Sequence, residues 1–476
     1  MRSGFIPYVF ETSSPESVGI DPASIRDFNE RLRAEGILCH GYMLYRHGKL
    51  AASSVAPPYR MSDKRHVYSV SKSFTSTAIG IAVSEGLLTV EDRIIDIFPE
   101  LVPENVSLNL AGMRVKHILS MNTGHDTDTL GRVALSDPDW ARRFLSLDVE
   151  HEPGTHFAYN STATYMLSAV ITKLTGMKLV DYFKTRLFDP LGISGVWWEE
   201  SPDGVSDGGW GIHVSMEDML KLGVLYLNKG VFGGRRILPE SWVADASSVV
   251  SETSDVYETP DWKLGYGYQF WGCRHGGFRA DGAYGQFSIV MPEKDAVAVI
   301  TAETGMAQRI LDIFWDTIYA SMSDRPLPER SCVIDTACAP ALVPPVIRGS
   351  DIAPVMYRLG ENQFRLSAIG YEKVGSELIL TIVGTSGQKI EIVCGAGKWE
   401  YNHFDSCPMA PTGFVGHLAC GIRADIAAAY GDDDGISVAL QFVSTPHGLV
   451  FRFGKDSLSV YYPADDRSVE IGIIGG

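Results

Sequence analysis

The chain has 476 residues, 45% hydrophobic and 21% charged, and its 41 Lys+Arg against 58 Asp+Glu give a formal charge of −17. That length exceeds one compact core, so a globular protein of two domains is expected, and the acidic balance argues against nucleic acid as a partner. No run of about 18 apolar residues occurs, and the N-terminus MRSGFIPYVFETSSPES lacks the apolar core of a secretory signal, so no membrane contact and a cytoplasmic location are expected.

Gly41-Tyr42-Met43-Leu44-Tyr45 followed by His47-Gly48-Lys49 reads as a strand and a tight turn. From Ser69 the chain reads SVSKSFTSTAIGIAVSEG, a helix ending near Gly86, with Ser69, Lys72, Ser73, Ser76 and Gly80 on one small or polar stripe. Such a seam in a helix otherwise fit for the core suggests that it lines a cleft. Residues 88–100 continue as a short amphipathic segment stopped by Pro99, and 115–121 is a brief helix ended by Asn122-Thr123-Gly124. Glu150-His151-Glu152 and His156 are metal-ligand types, but Pro153-Gly154 turns the chain between them, so no metal site is expected. Helices follow at 162–175, 179–187 and 215–228, the last with Ser215 as N-cap and Glu217-Asp218 in its first turn. Strands at 266–271, 286–291 and 296–301, with a hairpin turn at Pro292-Glu293-Lys294-Asp295, lead to a helix at 310–322. The pattern implies an α+β domain over 1–325, an antiparallel sheet flanked by helices plus a helical subdomain.

Pro326, Pro328, Pro340, Pro344 and Pro345 mark a linker over 326–345. From 346 to 476 the texture is all β. Runs near 363–371, 377–383, 389–394, 436–443, 448–453 and 457–462 imply a small accessory barrel or sandwich. Asp432-Asp433-Asp434-Gly435 lacks the alternating ligands of a calcium loop and reads as a solvated turn. Cys39, Cys273, Cys332, Cys338, Cys394, Cys407 and Cys420 include no Cys-x-x-Cys pair, which favours reduced thiols.

Ser69-Val70-Ser71-Lys72 carries the chemistry. Residues three apart share a helix face, so the amine reaches the hydroxyl. A serine needs such a base to become a nucleophile, and burial would lower the lysine pKa enough to supply one. The motif alone is weak evidence, since Ser386-Gly387-Gln388-Lys389 repeats it in an evident turn. Tyr159, between a Pro-Gly turn and a helix, is either a buried structural residue or a second proton carrier whose pKa falls beside the lysine.

Ser69-x-x-Lys72, then Tyr159-x-Ser161, then a glycine-rich strand edge resembles the serine β-lactamase and penicillin-binding-protein superfamily. The similarity is to its class C β-lactamase-related branch of esterases, 6-aminohexanoate-dimer hydrolase-like amidases and D-aminopeptidases. LTVEDRIIDIFPE, VKHILSMNTG, PGTHFAYNSTATYMLSAVI and MPEKDAVAVI extend it over most of 11–322. The resemblance implies Ser69 as acylated nucleophile, Lys72 as its activator and Tyr159 as proton shuttle. Ser161 stands where the family has asparagine, and a hydroxyl cannot replace both functions of a carboxamide. The third element, Lys-Thr-Gly or His-x-Gly in relatives, falls on Ala280-Asp281-Gly282 rather than on His275-Gly276-Gly277. Gly282 would let the strand edge approach substrate, and the Ala283 and Ser69 N–H groups would form the oxyanion hole.

The resemblance thus implies a metal-independent serine hydrolase without a cofactor, acting on a small-molecule ester or amide, and leaves a homodimer open. With Ala280 in place of lysine and Asp281 beside it, β-lactams are expected to be poor substrates. β-Lactamase or D-Ala peptidase activity and a non-catalytic ligand-binding role are the alternatives. For the accessory domain, packing, capping of the cleft and self-association remain open.

Overall fold

Ala296–Glu303 is apolar apart from Thr301 and its last residue, and in the computed structural model all eight residues are buried. It lies inside a six-stranded antiparallel sheet. The order is Lys49–Val55, Leu38–Arg46, Ala296–Glu303, Gln286–Met291, Phe278–Gly282, Trp271–Gly272. Alternate residues of a strand face opposite sides. Ala296, Ala298 and Ile300 pack with Ile25, Phe28, Leu311 and Phe314 of the helices Pro22–Ala34 and Ala307–Phe314. Val297 and Val299 join Phe74, Met219 and Leu220 of Val70–Ser84 and Met216–Leu227 on the other face. Each fully buried side chain of this size contributes about 1.5–3 kcal/mol, so the two-sided strand anchors both helical layers. The structure describes residues 8–134, 138–329, 334–339, 342–349, 351–409, 423–433 and 435–475.

Between the two halves of the sheet lie the helices that form the subdomain, Ser161–Thr175 being the longest of them. Asn160 caps it by accepting from Ala163 N, and Ser215 is the expected N-cap of Met216–Leu227, where it forms a capping box with Asp218. The strand expected at 266–271 is largely absent. Only Trp271–Gly272 joins the ladder, because Gly267 is pressed against the Ala246 and Ser248 carbonyls and Gln269 takes a left-handed φ of 69°. No helix among the described residues is long and apolar enough to cross a membrane.

The β region beyond 346 is a barrel rather than a sandwich. Its eleven-stranded sheet is antiparallel except where Lys389–Ala396 runs parallel to Ala424–Gly431. Arg467–Ile471 pairs with one edge and Ile473–Gly475 with Val355–Leu359 at the other. Only Gly472 separates those two strands, so the chain itself nearly closes the barrel. Alternate residues Leu378, Leu380, Ile382, Ile390 and Ile392 fill its interior. The second Ser-x-x-Lys lies in the connection from Glu377–Gly384 to Lys389–Ala396, as expected. Cys332, Cys420 and Asp434 fall outside the described residues, while Cys39, Cys273, Cys338 and Cys394 are free thiols.

Candidate active site

Ser69 occupies the N-cap of Val70–Ser84 yet makes no capping hydrogen bond through its side chain. Its hydroxyl faces Lys72, whose Nζ lies 2.9 Å from Ser69 Oγ, 3.3 Å from Ser161 Oγ and 2.7 Å from Gly209 O. Lys72 is 1% exposed. Burial pushes its amine down to about 7, against the weaker pull of the Asp128 and Asp281 carboxylates. A substantial fraction is therefore unprotonated at neutral pH.

The polar stripe of this helix does not line a cleft throughout. Ser73 Oγ donates to Gln269 O within the interior. A Cβ on Gly80 would meet the Trp242 indole at 2.5 Å, so the glycine serves close packing. Only Ser69 and Lys72 of that stripe belong to the site.

Tyr159 stacks on Trp271, 5.6 Å between centroids and 22° between planes, and its ring lies 4.7 Å from Lys72 Nζ. The Ser69 side chain beside its hydroxyl opposes part of the effect of burial on its pKa. The expectation that its pKa falls is overturned: burial pushes it well above the ordinary tyrosine value. The lysine is thus the group able to accept a proton, and the tyrosine remains a donor.

Ser161 opens its helix beside Lys72. The neighbouring Asn160 points into the interior, where Oδ1 accepts from Thr129 Oγ1 at 2.9 Å, so it does not substitute for the missing site asparagine. Phe278–Gly282 brings the third element against the chain ahead of Ser69. A Cβ on Gly282 would lie 2.2 Å from Val67 O, so its close approach is to the protein's own backbone. Arg279 is fully buried, with Nε donating to Asp281 Oδ2 at 2.8 Å and Nη1 to Gly272 O at 2.7 Å. It faces Asp281, not the cleft. Burial pushes Asp281 up to about 6 despite that partner. His275 stacks on Tyr319 at 4.3 Å and 13°, in the turn that precedes this strand.

Ser69, Tyr159, Ser161, Asp281, Gly282 and Ala283 all line one cavity of about 280 Å³. Trp210, Tyr257, Trp262 and Trp271 add an aromatic wall, and Asp128 adds a carboxylate. Asp128 escaped sequence reasoning: it accepts from Ser161 N and Leu130 N, each at 3.0 Å, from a loop without periodicity or motif. The turn thought to separate His151 from His156 instead stacks them, 4.1 Å apart at 26°, with Asp126 in reach. One ligand atom from each of Asp126, His151 and His156 lies within 4.8 Å of the others, so the expected separation does not hold.

A buried amine against a hydroxyl, a tyrosine donor above them and a cavity edged by strand backbone is a layout for acyl transfer. The family model described as Beta-lactamase matches residues 25–308, more than half of the chain. A 6-aminohexanoate-dimer hydrolase of Paenarthrobacter ureafaciens is 23% identical over 314 residues, covering 60% of this chain and 78% of that protein. Among solved structures, "EstCE1, a hydrolase with promiscuous acyltransferase activity" aligns with a TM-score of 0.53 and 20% identity over 62% of this chain and 98% of its own. The octameric penicillin-binding protein homologue from Pyrococcus abyssi covers 95% of this chain and 100% of its own, with a TM-score of 0.52 and 15% identity. That likeness extends the shared fold through the barrel. The chain belongs to the Beta-lactamase family, a hydrolase family with esterase and amidase relatives.

Proposed function

We propose that the chain is a serine hydrolase that cleaves an ester or amide through an acyl-enzyme on Ser69. The observation that carries this reading is the 2.9 Å separation of Ser69 Oγ from a buried Lys72 amine held near neutrality. Unprotonated Lys72 takes the Ser69 proton as Oγ attacks the carbonyl. The N–H groups of Ser69 and Ala283 stabilise the oxyanion. Tyr159 protonates the leaving group as the tetrahedral adduct collapses and is reprotonated from Lys72, and water then deacylates Ser69 by the reverse relay. Nucleophile and base are both side chains, so the reaction needs no metal or cofactor.

Among the described residues lining the cavity there is no lysine or arginine, and Arg279 is committed to Asp281. A substrate carboxylate would meet Asp128 and Asp281 without a cationic partner. Aromatic walls with two carboxylates favour a substrate that is apolar or cationic beyond the scissile carbonyl. The expected outcome is a kcat/KM for p-nitrophenyl acetate well above that for nitrocefin. A reversed order would overturn the substrate reading, and silence towards all p-nitrophenyl esters would favour a binding role.

A further inference from the structure

We propose that His447 of the C-terminal barrel is a positioning residue that braces the two backbone amides of the oxyanion hole, an inference that rests on the reading of Ser69 and Ala283 above. His447 opens the strand His447–Phe453 and is 2% exposed, buried against the hydrolase domain. Its Nε2 hydrogen-bonds the Tyr68 hydroxyl. Its Nδ1 lies 3.1 Å from Glu303 Oε1, at the end of the central strand of the sheet. Gly448 N donates to the same carboxyl group, 3.1 Å from Oε2. The imidazole also meets Tyr284 edge-on at 4.7 Å, and Tyr284 packs on Tyr68 at 5.1 Å.

The two tyrosines are the neighbours of the presumed donors: Tyr68 precedes Ser69 and Tyr284 follows Ala283. Both hold left-handed backbone conformations, φ 49° and 63°, which bulky residues keep only where the surroundings enforce them. One side chain from the second domain therefore touches both strained positions and ties them to the sheet. Docking alongside it is extensive: His66 N donates to Ser444 O at 2.8 Å and Gln441 Nε2 to Tyr59 Oη at 2.7 Å. Burial pushes His447 down to about 3 and Glu303 well above the carboxylate range, so the pair acts by position and brings no charge to the cleft.

The test compares His447→Ala, His447→Gln and Tyr68→Phe in the full chain with p-nitrophenyl acetate. A lost oxyanion donor costs roughly a hundredfold or more in kcat, so a misplaced one should cost roughly tenfold or more. The expected result for His447→Ala is that loss in kcat with little change in KM, partly restored in His447→Gln. Tyr68→Phe should reproduce part of the loss, and the double variant His447→Ala/Tyr68→Phe should add little beyond His447→Ala, since the hydrogen bond that Tyr68→Phe breaks is already gone there. Wild-type kcat in folded His447→Ala, or fully additive losses, would overturn the proposal. Should His447→Ala not fold, an unchanged kcat in both His447→Gln and Tyr68→Phe does so. Fluorophosphonate labelling separates the two readings. If labelling does not depend on Ser69, the acyl-enzyme reading fails and takes this inference with it; Ser69-dependent labelling with unaltered kcat in the variants defeats this inference alone.

Discussion

In the proposed mechanism Lys72 decides the chemistry because it is buried and, among the described residues, has no counterion in contact. Its neighbours at hydrogen-bond distance are two hydroxyls and a carbonyl, so nothing compensates the charged form fully and the amine sits at about 7. In that mechanism the unprotonated amine is the base, and kcat/KM reports ionisations of the free enzyme. Activity should rise with pH to a plateau above about 7 and fall about tenfold per unit below it. A kcat/KM profile that is flat from pH 5.5 to 8.5, measured with a neutral ester, would remove Lys72 from this role. Ser69, Lys72 and Tyr159 were legible in the sequence because each lies in a short local motif. Asp128, which lines the cavity from a featureless loop, and His447, which meets Tyr68 from the barrel, were not, and only tertiary contact reveals them. The direction of the Tyr159 shift was also misjudged: the nearby lysine suggested a lower pKa, but desolvation dominates.

Among the elements, the strand Phe278–Gly282 and the helix Val70–Ser84 are set against one another by a glycine. Gly282 Cα approaches the chain so closely that a methyl group would sit 2.2 Å from Val67 O, and a backbone carbonyl cannot swing aside as a side chain can. Gly282→Ala should therefore displace the strand that carries Ala283. A 1 Å displacement near reacting atoms costs roughly a hundredfold, so kcat should drop by about that factor while KM changes little; steady-state kinetics with a short ester check this. Retained kcat would show that the strand edge is more compliant than its packing implies. The strand Phe278–Gly282 was not among the strands that sequence periodicity placed, and only the family resemblance pointed to its glycine edge. Periodicity located the helix Val70–Ser84, and capping residues located the helix Met216–Leu227. It overread the stripe on the Ser69 helix, since small residues mark close helix packing as well as clefts, and Gly80 against Trp242 is the former. It overread 266–271 for a related reason: alternating aromatics mimic a strand, but here Tyr266, Trp271 and Phe157 form an aromatic cluster under Tyr159.

Across the whole molecule the barrel is more than an appendage. Ala427 and Val443 belong to the same buried cluster as Ile300 and Phe314 of the hydrolase domain. Tyr401 Oη donates to Pro58 O at 2.6 Å, and the proline-rich segment is itself fastened, with Tyr42 Oη donating to Thr336 O at 2.7 Å. A chain ending at Pro345 keeps the Tyr42–Thr336 bond but loses the contacts of Ala427, Val443 and Tyr401. With about 1.5–3 kcal/mol for each apolar side chain uncovered, its Tm should fall by roughly 5 °C or more, as differential scanning calorimetry would record. Equal Tm and equal kcat in the truncated chain would make the barrel dispensable. The all-β character of this region was plain from its turn-separated runs, but closure was not, because it depends on Arg467–Ile471 and Ile473–Gly475 meeting opposite edges across one glycine.

The central claim is a covalent acyl-enzyme on Ser69. Intact-mass spectrometry after treatment with a fluorophosphonate, followed by peptide mapping, tests it most directly. One adduct per chain is expected, on the peptide that contains Ser69, and none in Ser69→Ala. An adduct of equal stoichiometry in Ser69→Ala, or one mapped to another residue, would contradict it.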